Sequence, residues 1–336
     1  MKPINVFSCG PFDAAGVNSR FAQAWNKYGF GKWRTYFLKD FRNTGMDLMF
    51  DYSSFDDIKE AIKDTDIFIF NVVIDEAVIT THIINDWDTI ITPVKDGQVG
   101  YIFQFALQTK KPIIFYLNGS NNVRQWSKYY NKLFDMIGIH LMCSTPDLTH
   151  FFPKAIYTPS FIDYKDSFWN IPKCNKTKYI IGHFPTDFKI KNTDDFIKAK
   201  KEEINNNIIY QVCHGLSYGN AINVKRDMDF TFDHLQGYYG INSLESASLG
   251  VINFVKLDDL NKQKVCEISG TDTYPWDLIE NIEEMKVKLD WYLKNPEEIE
   301  KRKKEVRKWM ENYWSPKKHC EIIRGYFNEF IRNNTN

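Results

Sequence analysis

Neither charge is in excess in this sequence: 43 basic and 43 acidic side chains leave a net charge of zero over 336 residues. A dedicated nucleic-acid binder usually shows a positive excess or a basic stripe, so nucleic acid is a possible partner but not a favoured one. The local exception is the segment from Arg20 to Arg42, where Arg20, Lys27, Lys32, Arg34, Lys39 and Arg42 stand against Asp40 alone. It reads first as a solvated surface and second as a basic face toward an anionic acceptor or a membrane. Clustered cysteines are also missing. Cys9, Cys143, Cys174, Cys213, Cys266 and Cys320 are scattered with no C-x-x-C pair, so neither a zinc site nor a disulfide framework is expected. That pattern suits buried thiols in a cytoplasmic protein. No apolar run reaches the roughly 18 residues of a spanning helix, which leaves peripheral membrane contact open. The start of the chain reads as a strand entering a loop, its apolar run too short for a signal peptide. Internal repeats and low-complexity segments are absent too. The first glycine loop, Gly10 to Asn18, does not have the G-x-G-x-x-G spacing of a dinucleotide site, and no G-x-x-x-x-G-K-[ST] occurs. A dehydrogenase or a P-loop enzyme is therefore not expected.

What is present is alternation. Apolar runs at Asn5–Cys9, Arg34–Leu38, Asp66–Ile74, Pro112–Leu117, Ile139–Ser144 and Ala155–Thr158 predict strands. Helical spacing predicts Ser19–Tyr28, Phe55–Lys63 (capped by Ser53 or Ser54), Gln98–Gln108 and Gln125–Ile137 between them. Asp163–Lys178, with Pro172 and mixed charge, is the candidate linker. A second series follows, with strands at Tyr179–His183, Ile208–Cys213, Asp229–Asp233 and Val251–Val255. Its helices are expected at Thr193–Glu203, Tyr218–Val224 and Ile241–Ser248, with long helices over Pro275–Leu293, Pro296–Tyr313 and Pro316–Ile331 closing the chain. Strands alternating with helices make parallel sheets with right-handed crossovers. The expectation is an α/β protein of two Rossmann-like domains facing a central cleft, 1–165 and 178–315, with a C-terminal helix, 316–336, packing back on the first.

The chemistry concentrates in Asp229–Phe254, DFTFDHLQGYYGINSLESASLGVINF. A strand ending at Asp233 enters a turn with Gly237, and a helix starting near Gly240 carries Glu245 in its second turn. A helix N-terminus after a glycine turn offers free N–H groups and a positive dipole end to a phosphate. A carboxylate one turn on can accept hydrogen bonds from a ribose diol. An ordinary strand–helix connection is the plain alternative.

This stretch resembles the donor-binding signature of glycosyltransferase family 4, roughly D-hydrophobic-x-D-Q-L-x-x-G-x-Y-G-x-x-x-x-E-A-x-A-x-G. Other segments resemble the family in order along the chain: Gly16-Val17, Asn118-Gly-Ser120 with Arg124, Ser144-Thr-Pro-Asp-Leu148, and His183-Phe-Pro-Thr186 with Lys191-Asn-Thr-Asp194. The resemblance implies a GT-B fold, retention of anomeric configuration, no metal and no cofactor beyond a UDP- or GDP-sugar donor. The implied acceptor is a glycan, a lipid-linked chain or another hydroxyl. Lys191 would stabilise the departing diphosphate, Glu245 would hold the ribose, and the backbone at Gly16, Val17, Tyr239 and Gly240 would meet phosphates. Lys189, Gln236, Gly237 and the loop at His214 would line the donor, and Asn118 the sugar or acceptor. His183 and His234 divide evenly between facing the donor and packing in the core. Asp13 reads mainly as a turn residue and second as a group acting on an acceptor hydroxyl. The chain also departs from the pattern. Gly237 stands where an earlier glutamate is common, Phe188 where an arginine is, Asn118 for a histidine and Asn192 for a glycine. Two other readings follow: an enzyme of this fold acting on a modified DNA base, and a non-catalytic sugar-nucleotide or glycan binder.

Overall fold

A computed structural model of the chain describes residues 2–13, 16–39, 48–49, 54–72, 98–117, 121–125, 127–128, 131, 134–135, 138–163 and 178–334. The chain forms two compact units, one of Met1–Ser160 with Pro316–Asn336 and one of Phe161–Ser315. Most of the candidate linker lies outside the described residues.

The first unit is built on a seven-stranded sheet of β1 (Val6–Phe12), β2 (Trp33–Lys39), β3 (Leu48–Met49), β4 (Ile67–Val72), β5 (Ile113–Leu117), β6 (His140–Cys143) and β7 (Ile156–Tyr157), in the order β3-β2-β1-β4-β5-β6-β7. Every pairing is parallel, and β5 is buried along its whole length, as a strand covered on both faces must be. The helices are α1 (Val17–Lys27), α2 (Phe55–Lys63), α3 (Gln98–Gln108), α4 (Asn121–Gln125) and α5 (Leu148–Phe151). Ser54 caps α2 in a reciprocal box with Asp57. The short α4 precedes the helix expected over Gln125–Ile137, of which residues 127–128, 131 and 134–135 are described and helical. The C-terminal helix, which becomes α12 (Pro316–Asn334), belongs to this unit. Its Phe327 packs on Trp25 and Trp33 at ring separations of 5.5 and 5.9 Å.

The second unit has a five-stranded parallel sheet of β8 (Tyr179–His183), β9 (Ile208–Val212), β10 (Phe230–Phe232), β11 (Ile252–Val255) and β12 (Asp277–Leu278), ordered β12-β11-β10-β8-β9. Its helices are α6 (Thr193–Glu202), α7 (Tyr218–Arg226), α8 (Ile241–Ser248), α9 (Asp259–Ser269), α10 (Ile282–Lys294) and α11 (Pro296–Tyr313). Ile181, Phe196, Phe230, Phe232, Ile252 and Phe254 centre its core. The helix expected over Pro275–Leu293 does not begin at Pro275. Asp277–Leu278 pairs with β11 as an edge strand, and the helix starts only at Ile282, capped by Asn281, which accepts from the Glu284 N–H at 2.9 Å. Burial of Trp276 and Ile279 explains the extended start.

Strand order locates the site. In an open parallel sheet, ligands bind beyond the carboxyl ends of the strands, where the winding reverses. In the second sheet that reversal lies between β8 and β10, and in the first between β1 and β4.

Candidate functional site

The loop leaving β8 coils tightly. Asp187 Oδ1 accepts from the Ile190 N–H at 2.9 Å, and the Asp187 carbonyl accepts from the Lys191 N–H at 3.0 Å. Asn192 then takes a left-handed conformation, φ 54°, as the N-cap of α6. Asparagine is among the few non-glycine residues that tolerate it, which accounts for its presence where glycine was expected. The Asn192 Oδ1 accepts from the Leu235 N–H at 3.0 Å and from the Gln236 Nε2 at 3.3 Å, and so ties this loop to the one that follows β10.

Coiling brings the Lys191 ammonium to the end of β10, where its Nζ lies 2.8 Å from Asp233 Oδ1. The lysine side chain is 14% exposed and the aspartate 1%. The other aspartate oxygen accepts from Ser243 Oγ at 2.6 Å and, at 3.4 Å, from the Gly240 N–H, both in the first turn of α8. Burial pushes the Asp233 pKa up, but the Lys191 and His234 charges and the hydrogen bonds from Lys191 and Ser243 outweigh it and hold it well below the carboxylate range. Ser243 accepts in turn from Asn253 Nδ2 at 3.1 Å, and Thr231 Oγ1 lies 2.8 Å from Asn253 Oδ1. This buried polar network fixes α8 against β10 and β11. Asp233 was not among the sequence candidates. Its signals in the sequence are the aspartate of the quoted signature and the polar residues Thr231 and Asn253 in otherwise apolar strands.

His234 is buried and accepts from the Gln236 N–H through Nδ1 at 3.3 Å, which puts the proton of the neutral ring on Nε2. Burial, reinforced by the Lys191 and His183 charges, pushes its pKa down to about 4 against the pull of Asp233. His183 is also fully buried. Its Nδ1 lies 3.0 Å from the Phe232 carbonyl and its Nε2 2.9 Å from Thr193 Oγ1, so both nitrogens are engaged in holding β8, β10 and α6 together. His214 is exposed, with Nδ1 3.1 Å from the Pro185 carbonyl and its ring edge-on to Phe188 at 4.8 Å. Lys189 and Gln236 are exposed on the two loops.

The turn from β10 to α8 needs its glycines. Gly237 has φ +88°, which side-chain-bearing residues rarely adopt. A Cβ placed on Gly240 would lie 3.5 Å from Lys191 Nζ, so backbone and ammonium face the same small space. Tyr239 between them is buried and stacked on Trp276 at 4.7 Å, which leaves its backbone rather than its ring for a ligand. Glu245, one turn into α8, is buried in an ion pair with Lys225 of α7 at 2.8 Å, with exposures of 7% and 2%. The Lys225 ammonium also sits 4.9 Å over the Phe184 ring. Removing one partner of such a pair strands a buried charge, at a cost of about 3–5 kcal/mol.

In the first unit the β1–α1 loop is closed on itself. Asp13 is buried, and its two oxygens accept from the Asn18 and Ser19 N–H groups at 3.0 and 2.8 Å. Gly16, φ 67°, and Val17 are buried beside it. Two of the N–H groups that α1 would offer a phosphate are thus satisfied by the chain's own carboxylate, whose pKa burial raises despite them. Asn118 lies outside the described residues. Arg124 is bound to Asp147 through Nε and Nη2, both at 2.7 Å, which joins two of the segments singled out in the sequence. In the Arg20–Arg42 segment, Arg20 is buried, and Lys32 and Arg34 line a groove of about 440 Å³ together with Asp57 and Glu60. Among the described residues no group of three or more His, Cys, Asp or Glu side chains could hold a metal ion, and no helix is long and apolar enough to cross a membrane.

No family model and no curated protein matches the chain. Solved structures do. A glycosyltransferase from Rickettsia africae superposes with a TM-score of 0.63 at 11% identity, over 99% of this chain and 100% of its own. An alpha-glucosyltransferase in complex with UDP-glucose and DNA containing an abasic site does so with 0.63 at 10%, over 98% and 99%. The Anabaena protein HepE in complex with UDP and glucose gives 0.61 at 8%, over 97% and 100%. At these identities the likeness is one of fold, and the fold of this chain is the α/β GT-B fold of those glycosyltransferases.

Proposed function

We propose that the chain is a retaining glycosyltransferase that moves a sugar from a UDP- or GDP-sugar to a hydroxyl of a glycan, lipid-linked chain or other acceptor. The observation that carries this reading is the Lys191 ammonium, steered by Asp233 to the first turn of α8 beside Gly240, at the sheet's reversal point. A cation and a helix N-terminus together suit a diphosphate. In the transfer, the bond from the anomeric carbon to the β-phosphate oxygen breaks and a bond to the acceptor oxygen forms on the same face of the ring. The acceptor's proton passes to the departing phosphate oxygen. Lys191 meets the charge that develops there, so this reading calls for no metal ion. Glu245, held by Lys225, takes the ribose, and His214 with its exposed loop lies toward the base. The second unit holds the donor and the first the acceptor, in a cytoplasmic protein.

Lys191→Ala tests it. Loss of a fixed charge that stabilises the transition state costs about 10²–10³ in kcat. Release of UDP or GDP from the sugar nucleotides the protein binds should fall by that factor, with the melting temperature as the control on folding because the change strands the buried Asp233 carboxylate. Turnover at the wild-type rate would remove Lys191 from the mechanism.

A DNA base hydroxyl is the second reading of the acceptor, motivated by the basic segment and by the DNA-bound neighbour. Acidic partners line the groove beside Lys32 and Arg34, which weakens it. Salt-sensitive binding of duplex DNA would favour it. Donor binding without turnover in wild type and Lys191→Ala alike would favour a non-catalytic binder.

A further inference from the structure

Asp258 ends the loop that leaves β11, at the carboxyl edge of the second sheet, and caps α9. Its Oδ1 accepts from the Asn261 N–H at 2.8 Å and from Asn261 Nδ2 at 2.9 Å. Its own N–H donates to the Gly237 carbonyl at 2.7 Å, which pins the residue against the glycine turn. One carboxylate oxygen is thus held in the cap. The other, Oδ2, points across the turn: a Cβ placed on Gly237 would lie 3.2 Å from it. Asp258 is nevertheless exposed. Three residues further along the same turn, Gly240 faces the Lys191 ammonium. The turn therefore presents a cation on one side, held at the end of β10 by Asp233, and an open carboxylate oxygen on the other, beyond the end of the neighbouring β11.

We propose that Asp258 Oδ2 accepts hydrogen bonds from ring hydroxyls of the donor sugar, and that it supplies the acidic group that Gly237 leaves out of the turn. The inference rests on the donor-site reading above. A diphosphate at Lys191 places its sugar beyond the β-phosphate, and a carboxylate there favours the hydroxyl-bearing ring while disfavouring a second phosphate. Pinning by the Asn261 bonds and by the Gly237 carbonyl makes Oδ2 a fixed acceptor rather than a mobile surface group, so little ordering entropy is lost on binding.

The test is calorimetric titration of wild type, Asp258→Asn and Asp258→Ser with UDP, GDP, UDP-glucose, UDP-N-acetylglucosamine and GDP-mannose. Asparagine and serine both keep a cap acceptor for Asn261, so the melting temperature serves as the control on folding. Losing a charged hydrogen-bond acceptor should weaken the bound sugar nucleotide about ten- to a hundredfold, with the affinity for the matching free diphosphate unchanged. Equal affinity of wild type and variants for the sugar nucleotide would overturn the role of Asp258 alone. Equal losses for sugar nucleotide and free diphosphate would make it a scaffold residue and overturn the proposal too. A folded wild type that binds no sugar nucleotide would overturn the donor-site reading, and this inference with it.

Discussion

Asp233 has two tasks: it draws the Lys191 ammonium to the end of β10, and it caps the first turn of α8 through Gly240 and Ser243. Burial favours the neutral form of His234 beside it. Its pKa falls from an ordinary 6.5 to about 4, so the unfolded chain binds the proton that the folded chain refuses. Stability from this residue is fully present above pH 6.5 and is lost as pH falls toward 4, by on the order of 2–3 kcal/mol at pH 4.5. His183 and, in the other unit, His140 shift in the same direction. Asp233, with its pKa lowered, contributes stability above the ordinary carboxylate range and loses it only under stronger acid. The His234 share is isolated by comparing wild type with His234→Gln in urea denaturation at pH 7 and pH 4.5. The variant should lose about 2–3 kcal/mol less on acidification. Equal losses would contradict the assignment of the neutral, buried ring.

At the scale of elements, Asn192 joins the β8–α6 loop to the β10–α8 turn, and its substitutions separate two effects. Asn192→Gly keeps the left-handed backbone and loses the carboxamide that accepts from Leu235. Asn192→Ala loses the carboxamide and strains the backbone as well. Glycine should cost about 1 kcal/mol and alanine about 2–3 kcal/mol by thermal or urea denaturation. Alanine no worse than glycine would contradict the role of φ 54°. Elements with strong apolar runs, such as Ile67–Val72 and Ile113–Leu117, were legible in the sequence. The helix α9 was not, because only Val265 among its buried residues Asn261, Val265 and Ser269 is apolar, so the helical spacing carries no apolar stripe. The readable signals there were its ends, Asp258 as N-cap and Gly270, φ +75°, as C-cap. A proline followed by mixed charge at 275–284 imitated a helix start and hid β12.

For the whole molecule, the alternating pattern made the α/β class legible, but strand order carries the site and no local pattern encodes it. Lys191 and Asp233 are 42 positions apart and meet only because β8 and β10 are neighbours in the sheet. For the same reason the sequence suggested Lys191 and Glu245 as site residues but not that Asp233 and Lys225 are their buried partners. A mixed outcome marks the first loop: Asp13 was readable as a turn residue, and its carboxylate already fills the α1 N-terminus. The central claim, that the second unit holds a sugar nucleotide at Lys191 and α8, is tested most directly by isothermal titration of the full chain with UDP-, GDP- and ADP-sugars. One class should bind at a single site, and Lys191→Ala should weaken it about tenfold or more. A folded protein that binds none of them would contradict the account.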